Sequence, residues 1–288
     1  MPNAYTRRVT EAHSDLRKEI ERRWAAIDAK TVRPETIFHY TTADALYSII
    51  RHKQLWATEA LCMNDPTEGI HAGRLIAERL RHRTRDVPSQ LVRLFSDEEL
   101  SEVLNNQVFL VSFCTAGDLL SQWRAYGLDG RGYAIGFKPE ALLNSTDECR
   151  RLVSVSYDQG ELEALLASII DFGVKEITRI QFNEEEFNAY WKLVGSYLLQ
   201  SVIRFKNPAY QEEREWRLVY YPPDGIDFRT SGGRIVPYFK ARFSLEAIQC
   251  IRLGPKCDSR DSRVLANYLK AIRGPVIPAI ENSVVPMV

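Results

Sequence analysis

Glu213-Arg-Glu-Trp-Arg217 runs straight into Leu218-Val-Tyr-Tyr221, and Pro222-Pro223-Asp224-Gly225 ends the run. In an extended chain successive side chains point to opposite faces. Glu213, Glu215 and Arg217 then share one face, and Trp216, Leu218 and Tyr220 share the other. The second face is apolar and belongs against a core. The first sets two carboxylates beside a guanidinium. Carboxylates that close resist ionising together unless the arginine compensates. Such a cluster reads either as a site or as a solvated charge ladder on an exposed strand.

Working outward, Val108-Phe-Leu-Val-Ser-Phe-Cys114 is the strongest strand pattern in the chain. Ile37–Tyr40, Gln54–Ala57, Tyr133–Phe137, Val153–Tyr157, Ile235–Lys240 and Ile248–Leu253 read as further strands. Helical periodicity marks 5–30, where Leu16, Ile20, Trp24 and Ile27 recur among charges. It also marks a helix N-capped by Thr42, then 68–83, a short helix 119–126, two long helices at 160–180 and 184–205, and 259–272. Strands and helices mix without regular alternation, which predicts an α+β fold rather than a doubly wound parallel sheet. No repeat or linker divides the chain. One domain is expected over 1–288, with a helical extension at 1–33, a core at 34–275 and a tail at 276–288.

The composition narrows the function classes. Lys+Arg and Asp+Glu balance at 38 each in 288 residues, so nothing pulls the whole chain toward nucleic acid or anionic membrane. Local basic grooves remain open, with Arg179, Arg204, Lys206 and the run 79–85 as candidates. The five cysteines (Cys62, Cys114, Cys149, Cys250, Cys257) are odd in number and lack CxxC spacing. That speaks against a zinc site or disulfide framework and predicts reduced thiols in a cytoplasm. There is no apolar signal core and no apolar run long enough to span a bilayer.

GxGxxG, P-loop, HExxH and Gly-x-Ser-x-Gly motifs are absent. Gly127-x-x-Gly130-x-Gly132 follows a helix and leads into a strand, the reverse of a dinucleotide loop, and reads as a turn. His39, at the end of a short apolar strand, suits a hydrogen bond to a ribose hydroxyl, or a purely structural place. Gln122-Trp123-x-x-Tyr126 sets an amide and two aromatics within one helical turn. The rings can stack on a flat heterocycle, or Trp123 can plug the core with Tyr126 capping it. Asn64-Asp-Pro66 with Glu68 reads as a capped turn, with Asn64 left open.

Phe38-His-Tyr-Thr41, Leu55-Trp-Ala57, Asn64-Asp-Pro-x-Glu68, Ser112-Phe-Cys114, Gln122-Trp-x-x-Tyr126, Gly132-Tyr-Ala-Ile-Gly-Phe137 and Lys206 before Glu213-x-Glu-x-Arg217 occur in this order. From about residue 36 to 256 they resemble a widespread prokaryotic family of unknown function, often found near mobile elements and defence genes. More distantly, that family resembles the ADP-ribosyltransferases. The resemblance implies a split β-sheet core with surrounding helices and NAD as the consumed substrate. It also implies an acceptor that is protein or nucleic acid, and a defence or toxin role. It implies Glu215 as the catalytic carboxylate, matched with Glu213 to a Glu-x-Glu pair. His39 and Ser112 position ribose and nicotinamide amide, with Tyr40, Trp123 or Tyr126 against the ring and Gln122 among the cofactor-binding residues. Arg217 or Lys206 meets the pyrophosphate. An NAD glycohydrolase, a nuclease-like hydrolase and a non-catalytic nucleotide- or partner-sensing module are the alternatives. No metal is implied, and the oligomeric state is open.

Overall fold

The computed structural model describes residues 4–63, 76, 78, 108–144, 150–180, 182–221, 225–273 and 277–287. They fall into two compact units. One comprises Met1–Val32, Ala60–Val108 and Val155–Tyr210; the other Arg33–Glu59, Phe109–Ser154 and Gln211–Val288. The first is helical and the second holds the sheet. Together they give the α+β composition the sequence predicts.

In the helical unit, α1 (Ala4–Asp28) packs with two long helices of the later chain. Its Ala12, Leu16, Ile20, Trp24 and Ile27 are all buried, so the stripe read from the sequence faces the core. Those two long helices correspond to the ones expected at 160–180 and 184–205; they span Gln159–Ile180 and Glu184–Val202. The latter starts at a capping box: Asn183 accepts from the Glu186 amide, and Glu186 accepts from the Asn183 amide. Glu186 also takes a two-pronged bond from Arg8.

The sheet unit contains ten strands among the described residues: β1 (Ile37–Thr41), β2 (Gln54–Glu59), β3 (Phe109–Cys114), β4 (Tyr133–Phe137), β5 (Arg150–Ser154), β6 (Glu215–Tyr220), β7 (Ile226–Ser231), β8 (Arg234–Arg242), β9 (Ile248–Leu253) and β10 (Ala279–Asn282). The order is β10-β9-β4-β1-β3-β2-β8-β7, with β5 and β6 branching from β3. All neighbours are antiparallel except β9 and β10. β6 lines one whole edge of β3, from Phe109↔Tyr220 to Cys114↔Glu215. The opposite edge is shared. β1 pairs at Phe38↔Cys114, and β2 pairs at Leu110 and Phe109. Between them, at Ser112, the sheet divides.

Its two faces are covered differently. α2 (Ala43–His52), the helix Ser259–Arg273 and the short helix Pro139–Leu143 pack on the face carrying Ile37, Phe113, Ile135, Phe137, Trp216 and Leu218. Thr42 caps α2 by accepting from the Ala45 amide, as its position predicts. On the other face the helix Leu120–Ala125 sets Trp123 into a smaller cluster with Tyr40, Cys114 and Ala134. The glycine turn before β4 is a turn. At Gly132 a side chain would sit 2.3 Å from the Thr41 carbonyl oxygen, so only glycine fits.

Several expectations are corrected. The strand expected at 153–157 runs from Arg150 to Ser154, and no sequence pattern announces β7, β10 or the helix Pro139–Leu143. The strand expected from Glu213 starts at Glu215. Glu213 ends a 3-10 helix (Pro208–Glu213), and Arg214 takes a left-handed conformation at φ 42° before the strand begins. Asn64, Asp65, Glu68, Cys149, the basic run 79–85 and most of the helix expected at 68–83 lie outside the described residues.

Candidate functional site

The charged residues of β6 are not a solvated ladder. Glu215 and Arg217 are 4% and 2% exposed, in a strand buried along its whole length. Arg217 donates from Nε to Glu215 Oε1 at 2.7 Å and from Nη2 to Oε2 at 3.2 Å. Residues two apart on a strand share a face, which lets the fork meet the carboxylate within one segment. Withdrawn from water, each charge needs the other. Arg217 is therefore committed to Glu215 and not presented to a pyrophosphate.

Direct antiparallel partners point to the same side of a sheet. The pairings Phe38↔Cys114↔Glu215 and Ser112↔Arg217 put Tyr40, Ser112, Glu215 and Arg217 on the face covered by Trp123. His39, between Phe38 and Tyr40, falls on the opposite face. Its ring meets Phe113 edge-on, with centroids 5.9 Å apart. The expected arrangement, with His39 and Glu215 facing each other across one pocket, is not the one found. A single-residue offset in register reverses the side of the sheet, and register is not encoded locally.

His39 instead occupies the division of the sheet. Its Nδ1 lies 3.1 Å from the Ser112 carbonyl oxygen, where β1 and β2 part from β3. A carbonyl only accepts, so Nδ1 carries the proton and Nε2 is an acceptor, with no partner among the described residues. Burial pushes the imidazole pKa down, so the ring is neutral near pH 7. The Ser112 hydroxyl, on the other face, is buried and has no partner among the described residues.

The remaining expected residues separate into two groups. Tyr40 Oη donates to the Ala116 carbonyl at 2.8 Å and accepts from the Leu119 amide at 3.0 Å, and burial raises its pKa. Trp123 is fully buried, edge-on to Tyr40 at 4.8 Å, and donates to Asp118 Oδ1 at 2.7 Å. These two are packing residues that hold the β3–β4 connection, the plain alternative for Trp123. Gln122 is 7% exposed and makes no side-chain hydrogen bond to the described residues; Tyr126 is 38% exposed. Glu213 is half-buried just ahead of β6. Lys206 belongs to the helical unit, where its Nζ lies 4.7 Å from the Tyr210 ring centroid.

Sequence reasoning missed Asp118. It accepts from Trp123, the Ser283 hydroxyl at 2.6 Å and the Val284 amide at 2.8 Å, tying the late chain to the β3–β4 connection. These hydrogen bonds hold its carboxyl below the usual range despite the opposing effect of burial. Of the groove candidates, Arg204 binds Asp28 and Arg179 binds Glu176. Among the described residues no three His, Cys, Asp or Glu side chains form a metal-binding group, and no helix is long and apolar enough to cross a membrane. Cys62, Cys114, Cys250 and Cys257 are not in disulfides.

Residues 122–218 match the model of a protein family of unknown function, DUF2971. That segment begins at Gln122, includes β4 to β6 except the last two residues of β6, and so contains the Glu215–Arg217 pair. No curated protein and no solved structure matches the chain.

Proposed function

We propose that the sheet unit binds NAD at the division of its sheet and transfers ADP-ribose to a protein or nucleic-acid acceptor. The observation that carries this reading is His39. It sits at the branch point of a divided sheet, and its bond to the Ser112 carbonyl fixes a neutral imidazole with Nε2 as acceptor. A ribose hydroxyl is a matching donor. Tyr126 offers an exposed ring to a heterocycle.

In the reaction the bond from ribose C1′ to the nicotinamide nitrogen breaks, and nicotinamide leaves as a neutral molecule. The positive charge that develops on the ribose needs a carboxylate. Glu215 is engaged by Arg217, so that role passes to Glu213, which is closer to solvent. The acceptor nucleophile bonds to C1′ and gives its proton to the Glu213 carboxylate. Glu215 and Arg217 fix the start of β6 and thereby the chain that presents Glu213. On this reading the compartment is the cytoplasm, in keeping with four cysteines outside disulfides. The resemblance suggests a defence or toxin setting.

A second reading rests on the same ion pair. A carboxylate fully held by a buried arginine is not free to do chemistry, which favours a module that senses a nucleotide without turning it over. NAD labelled in its adenylate half, incubated with the full chain and cell extract, separates the two. The transferase reading expects label on a macromolecule, lost in Glu213→Gln and in His39→Ala. Intact NAD that binds in a His39-dependent manner selects the sensing module. With neither binding nor consumption, both readings fall.

A further inference from the structure

The β2–β8–β7 arm of the sheet has one face whose chemistry belongs to neither the core nor the proposed site. Trp56↔Lys240, Thr58↔Tyr238 and Gln54↔Arg242 pair across β2 and β8, and Asp227↔Tyr238, Arg229↔Val236 and Ser231↔Arg234 pair across β7 and β8. Paired residues share a side. Trp56, Tyr238, Arg229, Arg234, Lys240 and Arg242 therefore lie together, with Asp227 as the single acidic residue among those pairs. The alternate residues Leu55, Ala57 and Ala241 point the other way into the core.

Four cations against one carboxylate is a strong local bias in a chain whose total charge is zero. The aromatic beside these cations is open. Trp56 is 46% exposed, an unusual position for the largest apolar side chain. It is supported rather than loose: Tyr238 lies beside it at 4.6 Å between centroids, and the Arg229 guanidinium is 5.8 Å from its ring. Arg229 is held by a bond from Nη2 to Thr58 Oγ1 at 3.0 Å, and its Nε is buried with no partner among the described residues. Lys240 is steered by Asp227 at 2.6 Å.

We propose that this face binds single-stranded nucleic acid, with one base stacked on Trp56 and the flanking phosphates met by Arg229, Arg234, Lys240 and Arg242. An exposed flat ring takes any base, because every base has a π-face. Cations on β8 and β7, the two strands that follow β2 on one side, line a path for a backbone that carries one charge per nucleotide. A duplex hides its bases in the stack and leaves Trp56 with nothing to cover. An acidic protein would use the cations but not the ring. The inference stands apart from NAD turnover, since none of these residues belongs to the proposed site.

Fluorescence anisotropy of the full chain with a labelled single-stranded 12-mer, as DNA and as RNA, tests it. Trp56→Ala should weaken binding about 5- to 100-fold, and Trp56→Phe should retain most of it. Arg234→Ala with Lys240→Gln changes only exposed side chains. It should flatten the salt dependence, by roughly 0.7 in log–log slope for each phosphate that is no longer neutralised. Thermal melts confirm that each variant is folded. The proposal is overturned if the 12-mer does not bind at low salt or if Trp56→Ala, folded, binds as the parent does. It is equally overturned if the duplex or poly-glutamate competes as well as unlabelled single strand. Should Trp56→Ala not fold, the salt slope of the double variant decides: an unchanged slope overturns the proposal.

Discussion

In the sheet unit Arg217 and its partner Glu215 are both withdrawn from water, whereas in the helical unit Arg204 is buried but its partner Asp28 has a side chain 42% exposed. Arg204 also lies 5.0 Å over the Trp24 ring, and Trp24 donates to Ser201 Oγ at 3.0 Å. Its charge thus has an aromatic face and a partly solvated carboxylate to share it. Arg217 has a carboxylate two residues away on its own strand. One pair has a carboxylate that reaches water, and the other is closed off from it on both sides. The histidines follow the same division. His39 is held by a carbonyl, which permits one tautomer, while His13 lies 3.1 Å from Tyr197 Oη, a hydroxyl that can donate or accept.

Removing one carboxylate from each unit breaks this contrast most directly. Glu215→Ala removes a buried carboxylate from beside a buried guanidinium and should cost about 3–5 kcal/mol. Asp28→Ala should cost about 1 kcal/mol, because the carboxylate removed is itself partly in water and its partner keeps the Trp24 ring. Urea midpoints of the two variants give the comparison; equal losses would mean that the difference in burial has no energetic consequence. Replacing Glu215 and Arg217 together with Leu and Met should recover much of the loss.

A smaller effect is expected at the glycine turn. Gly132→Ala forces a methyl group against the Thr41 carbonyl and should destabilise the sheet unit by about 1–3 kcal/mol. Gly225→Ala, where nothing lies within 4 Å of the added carbon but φ is +89°, tests backbone strain without crowding and should cost about 1 kcal/mol. Calorimetric melting that ranks Gly225→Ala above Gly132→Ala would reverse the assignment of crowding as the larger cause.

The histidines give the smallest and most selective prediction. Both His39 and His13 have pKa values lowered by burial from an ordinary 6.5. Between that value and the folded pKa the unfolded chain binds more protons, so stability rises with pH across this window and falls on acidification. Denaturation curves followed from about pH 7.5 down to about pH 5 should lose stability, and His39→Gln should remove part of that slope. If His39→Gln leaves the slope untouched, the imidazole is not neutral in the fold.

Much of the fold is legible in residue order. Leu16, Ile20, Trp24 and Ile27 fix a helix face by spacing alone, and the seven-residue run ending at Cys114 admits little besides a buried strand. β7 escapes because Ile226–Ser231 pairs on one side only and carries polar residues on an open edge, so its pattern resembles a loop. Glu213 reads as part of the strand because nothing in the residue type announces that Arg214 turns left-handed. The proximity of Glu215 to Arg217 follows from strand geometry, but their burial does not, since alternating charges usually mark a wet face. The placing of His39 depends on which residue of β3 it meets, a neighbour more than seventy positions away that no local pattern specifies.

The shared border of β3 sets up a rivalry. β1 and β2 draw on the same row of backbone groups from opposite ends, so neither can zip further without evicting its neighbour. The imidazole on the Ser112 oxygen acts as a wedge at that frontier, stopping the first before it reaches the second. A molecule that pulled His39 away would free that oxygen, and the boundary between the two halves could then creep along the strand.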